Sequence, residues 1–129
     1  MQQSVAIAAV AIGGALGSVL RYLISSWFVA RVGTSFPWGT FVINVSGSLL
    51  IGIVLQLALS RTGLNPYLRL FLATGILGGY TTFSTYAFEI YTLAGSAAPL
   101  QSAAYALGSV IAGVTAAYAG TLLVRAMAS

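Results

Sequence analysis

The sequence predicts an all-α membrane protein with four transmembrane helices, and three observations carry that class. Hydrophobic residues fill 59% of the 129 positions and charged residues only 5%, against roughly 25% charged in a water-soluble domain. Mean hydropathy is +0.99, which leaves too little polar material to cover a globule. The apolar residues fall into four runs, about 4–30, 38–60, 67–94 and 99–127. Each reaches the ~20 residues a helix needs to cross the hydrocarbon. The whole chain, 1–129, therefore reads as one four-span domain, and its short loops make neighbouring spans antiparallel.

The first span carries Gly13 and Gly17 four apart, a short small-residue step for close packing. Its charge, Arg21, lies inside the apolar run rather than before it, which separates the span from a removable signal peptide. A charge so placed must reach water or headgroups. It either snorkels or lines a vestibule that attracts anions. Trp27, Phe36 and Trp38 bracket the first loop as interfacial anchors. Pro37, Pro66 and Pro99 stand at the first turns of later spans, where a missing N–H is harmless. Asn65 is placed to cap the third span, and Gly63 and Gly95 suit helix exits.

The second span places Thr40, Asn44, Ser48, Gly52 and Gln56 at a spacing of four, one stripe of polar or small residues. Asn44 is its costly member, because a buried amide needs several partners. Either it lines a pore and offers N–H donors to an anion, or it bonds helix to helix.

In the third span, Gly75 to Tyr86 contains Gly75, Gly78 and Gly79 with Thr81, Thr82, Ser84 and Thr85. Glycine costs about 1 kcal/mol against alanine in a helix, and β-branched threonine adds to that. The expectation is a helix broken near mid-membrane, with freed carbonyls that suit a bare cation such as Na⁺. The alternative is close packing at glycines with threonines bonded back along the helix. Phe83 and Tyr86, three apart, share a face. Their positive ring edges would solvate a small anion if turned to a pore. The fourth span has a small-residue ladder, Ala104, Gly108, Ala112, Ala116 and Gly120, beside a stripe holding Tyr105 and Ser109.

The missing residues exclude most chemistry. No Cys, His or Lys is present, and Glu89 is the single acid. Disulfides, thiol and imidazole catalysis, Schiff bases and paired carboxylates all drop out. The chain is not expected to be an enzyme. The net charge of +4 comes from arginines scattered at 21, 31, 61, 69 and 125, with no basic run to track phosphates, so no nucleic-acid partner is expected. Arg61, Arg69 and Arg125 share one membrane side with both termini. Arg31 occupies the other, with Arg21 leaning toward it. That bias is weak and leaves insertion in both orientations open.

At these residues the chain resembles the Fluc (CrcB) fluoride channels. The resemblance rests on Gly13-Gly14-Ala15-Leu16-Gly17 with Leu20-Arg21-Tyr22, and on Trp38-Gly39-Thr40 with Asn44. Most of all it rests on Gly78-Gly79-Tyr80-Thr81-Thr82-Phe83-Ser84-Thr85. It covers nearly the whole chain. It implies a dual-topology antiparallel homodimer in the inner membrane that passes fluoride passively and protects against fluoride toxicity. It also implies a structural Na⁺ at the dimer centre, held by the carbonyls of Gly78 and Thr81. The pore positions implied are Asn44, Phe83, Tyr86, Tyr105 and Ser109, joined by the hydroxyl of Thr85, with Arg21 at the vestibule. Two residues depart from the family pattern. Tyr86 replaces a second Phe, adding a hydroxyl that either bonds fluoride or turns the ring, and Tyr80 stands where Leu is common.

Two other functions are weighed against this one. A small dual-topology proton-coupled multidrug antiporter needs a carboxylate deep in the first span, which here holds Arg21 and no acid. An assembly subunit without transport would have no use for a Gly-Thr break beside Asn44.

Overall fold

The computed structural model describes residues 2–60 and 63–127; Arg61, counted in the charge bias, lies outside them. Helix α1 spans Gln3–Val32 and stops at Gly33, whose φ of +82° turns the chain while its N–H bonds Val29 O. Helix α2 spans Trp38–Leu59. Pro37 precedes it, and its carbonyl accepts the first bond, from Phe41 N–H at 3.1 Å. Asn65 caps α3, Pro66–Arg69, by accepting from Tyr67 N–H at 2.9 Å. The helix then widens into π-helical turns over Leu70–Leu77 and closes with α4, Gly78–Tyr80. Thr81 (ψ 159°) and Thr82 (φ −151°, ψ 123°) are extended, and α5 follows over Phe83–Gly95. Helix α6 spans Pro99–Met127.

Among the described residues, α1, α2 and α6 are the helices long and apolar enough to cross a membrane. The exit expected at Gly95 falls later: Gly95 is the last helical residue, and Ala97 takes the left-handed turn at φ 59°. Gly63 does carry a positive φ, of 54°.

The helices pair side by side. A side chain at Gly17 would overlap Ile76 O, and one at Gly13 would stand 2.5 Å from Phe71 O, so α1 touches the widened segment backbone to backbone. Gly52 meets Ala117 O and Gly120 meets Leu49 O in the same way. Gly113 lies at Ser48 as Ala117 lies at Gly52, so α2 and α6 run parallel, as do α1 and the widened segment, where Gly13 meets Phe71 and Gly17 meets Ile76. Helix α5 lies antiparallel to α6, with Tyr86 at Ala106 and Ser102 at Ile90.

Of the ladder expected on α6, Gly120 is buried, Gly108, Ala112 and Ala116 are half-buried, and Ala104 is exposed. The buried face carries Ser102, Tyr105, Ser109, Gly120 and Val124. The hydroxyls of Ser102, Tyr105 and Ser109 have no partner in lipid, which favours the interior for them. The small core consists of Ile43, Leu77 and Tyr80, with Ile24, Ile51 and Val54 around it.

Candidate functional site

A cavity of about 390 Å³ opens where α2, α6 and the extended pair meet. Asn44, Thr81, Thr82, Phe83, Tyr86 and Ser109 line it, together with Gly78. Six of the residues singled out in the sequence thus come together: Asn44, Gly78, Thr81, Phe83, Tyr86 and Ser109.

Asn44 holds the backbone of Thr82 on both sides of its Cα. Its Nδ2 donates to Thr82 O at 2.9 Å, and its Oδ1 accepts from Thr82 N–H at 2.9 Å. That pairing fixes the amide orientation. It also leaves one of the two Nδ2 hydrogens for something else. Asn44 thus ties α2 to the interruption and also lines the cavity.

The same bond changes the helix ladder. Gly78 O would ordinarily accept from Thr82 N–H, four residues on, but that donor goes to Asn44. Thr81 O loses its donor too, because Thr85 N–H points at Thr82 Oγ1, 3.4 Å away. Two neutral carbonyl oxygens are thereby released from the ladder, a donor set that fits a hard monovalent cation. Gly78 is exposed, and a side chain there would meet only Ala73 O, at 3.8 Å. The chain's own packing does not require glycine at this position.

Ser109 Oγ is buried and has no hydrogen-bond partner among the described residues. An unmatched buried hydroxyl costs about 1–3 kcal/mol, so it marks a place for a small acceptor or donor. The Tyr86 hydroxyl donates to Ala106 O at 2.6 Å. Its proton is thereby committed within the chain. Phe83 and Tyr86 rings stand 5.8 Å apart and tilted. Phe83 is 79% exposed, a large ring aimed away from its own subunit.

Three candidates lie off this cavity. Tyr105 is buried, donating to Glu89 Oε2 at 2.7 Å and packing edge-on against Tyr86. Thr85 is exposed and bonded to Thr82. Arg21 is half-buried on α1 and lines neither cavity. A second cavity, of about 240 Å³, lies between Phe36, Trp38, Thr40 and Glu89. Glu89 accepts from Thr40 Oγ1 and Tyr105 OH, each at 2.7 Å. This acid-centred cluster was missed in the sequence. The available signal was that the single acid follows Tyr86 by three residues and so shares its face.

A family model described as CrcB-like protein, Camphor Resistance (CrcB), matches residues 8–121. A Rhizobium meliloti (strain 1021) protein is 46% identical over 115 residues, covering 89% of this chain and 92% of its own. One from Nitrobacter winogradskyi is 50% identical over 119 residues, covering 92% and 94%. One from Roseiflexus sp. (strain RS-1) is 44% identical over 121 residues, covering 94% and 98%. Each of the three is named a fluoride-specific ion channel FluC. With its apolar helices, this is a multi-pass membrane protein, and the chain belongs to the CrcB family.

Proposed function

We propose that this chain is a passive fluoride channel of the inner membrane, and that it protects the cell by letting fluoride leave. The observation that carries the reading is the cavity in which a spare Asn44 N–H, the unpartnered Ser109 hydroxyl and the Phe83 and Tyr86 rings converge. Fluoride is small and strongly hydrated, so a selective path must replace its water with close donors. Amide, hydroxyl and positive ring edges do so without a fixed cation that would trap the ion. The proton-coupled antiporter is not favoured. Both oxygens of the only carboxylate, Glu89, are already bonded to hydroxyls, and the named relatives are channels.

The working unit is an antiparallel homodimer of four-span subunits, each with its third span broken at Thr81–Thr82. One subunit exposes Phe83 and Gly78 at its surface, so its half of the lining is open without a second copy. Residues Gly78 and Thr81 would supply the released carbonyls for a structural Na⁺ where two copies meet. A Na⁺ there would contribute fixed positive charge among neutral oxygens.

Purified protein in liposomes should release fluoride by itself. Phe83→Ile keeps apolar bulk but deletes the ring edge, so flux should fall by at least about ten-fold while folding survives. Flux near wild type in that variant would move the path elsewhere. Cysteine cross-linking from exposed α5 positions should capture antiparallel pairs; parallel pairs alone would end the dimer reading.

A further inference from the structure

Three residues of α2 meet the three residues of the interruption, one to one. Ser46 Oγ lies 2.9 Å from the Tyr80 hydroxyl. Gly47 leaves room for the Thr81 methyl, which any side chain there would overlap. Asn44 brackets the Thr82 peptide. At about 100° per residue, Gly47 stands between Ser46 and Asn44 around the α2 axis. The extended chain therefore crosses α2 over a glycine, with an anchor on either side.

The proton between Ser46 and Tyr80 can be assigned. Ser46 Oγ also donates to Ile43 O at 3.1 Å. A serine hydroxyl has one hydrogen, so the other bond is donated by Tyr80. Tyr80 is 5% exposed and packed with Ile43 and Leu77. Among the described residues, Ser46 is the hydrogen-bond partner of its hydroxyl.

We propose that Tyr80 is a positioning residue, whose hydroxyl, held by Ser46, fixes where the upstream helix stops relative to α2. The bracket at Thr82 holds the peptide planes on either side of its Cα, but not the helix end that precedes them. A second anchor on the far side of α2 removes that freedom. It thereby sets the stance of the Gly78 carbonyl relative to the Thr81 carbonyl and the spare Asn44 N–H, which the bracket already holds. An apolar residue at 80 would fill the same space without the directional bond. This inference rests on the proposed fluoride path.

The test compares Ser46→Ala, Tyr80→Phe, the double variant and Ser46→Thr by fluoride efflux per folded channel, counted from gel-filtered protein in liposomes. Each deletion should cost about ten-fold, as an unmatched buried hydroxyl or a lost anchor would. The double variant should fall no further than the worse single, and Ser46→Thr, which keeps the hydroxyl, should stay near wild type. Single variants at the wild-type rate, losses that multiply in the double, or Ser46→Thr as impaired as Ser46→Ala would each overturn the proposal. So would a lowered melting temperature with unchanged flux per folded channel, since the pair would then only stabilise. A wild type that passes no fluoride would instead remove the channel reading, and melting curves of the same four proteins would still show whether the two hydroxyls couple.

Discussion

Asn44→Asp should abolish fluoride flux. The carboxylate can still accept from Thr82 N–H, but it has no hydrogen to give Thr82 O, which the amide now engages at 2.9 Å. Two acceptor oxygens would be left facing each other, and the bracket would open. The added negative charge acts separately. Two unit charges 4 Å apart repel by about 4 kcal/mol at an effective dielectric of 20, and that corresponds to roughly a thousand-fold lower anion occupancy. Asn44→Ala isolates the first effect, because it removes the bracket without adding charge, and it should keep measurable flux. Liposome efflux decides the matter: an Asn44→Asp channel as active as wild type would mean that the anion never passes this side chain.

The largest effect on the fold should come from Gly120→Leu. A side chain at Gly120 runs into Leu49 O, with Ile53 N only 3.0 Å away, so backbone on both helices must give. Gly52 makes the reciprocal approach to Ala117 O, and neither helix can tilt away to relieve both. Overpacking of this kind costs about 1–3 kcal/mol or more even where side chains can yield; here the obstacle is main chain. Little folded protein should be recovered, judged by the gel-filtration peak and melting temperature. Gly108→Leu supplies the contrast. Nothing lies within 4 Å of that position, and the subunit should fold normally. Equal recovery of both variants would sink the claim that α2 and α6 touch through their glycines.

Much of the architecture is legible in the sequence because proline and asparagine punctuate it locally. Asn65 and Pro66 open α3, and Pro99 opens α6 at the expected residue. Asn44 stands out as costly from its side chain alone. What the spacing does not carry is pairing across the bundle. The Asn44–Thr82, Ser46–Tyr80 and Thr40–Glu89 bonds join residues 38, 34 and 49 apart, and nothing local announces them. The α6 ladder shows a related limit. Small residues signal a contact surface but not whose, and the hydroxyls of Ser102 and Tyr105 had the stronger claim on the interior. The ring of Tyr86 shows the same limit. The sequence leaves its hydroxyl between bonding fluoride and turning the ring, and the Ala106 carbonyl it donates to stands 20 residues away on α6.

The widened turns at Leu70–Leu77 have a consequence for the chain's arithmetic. Bonds of the i→i+5 type lodge more residues in each turn than the ordinary ladder does. Every residue added to or taken from a helix changes the bearing of all that follows by about 100°. The start of this segment is pinned by the Asn65 cap and its flank by the α1 glycines, while its end is pinned at Tyr80 and Thr82. The stretch therefore works as a phase insert, a few residues of slack wound in so that both ends can be met at once. Its length is under tighter constraint than its side chains, and a one-residue deletion there would aim Tyr80 away from α2 as surely as removing its hydroxyl.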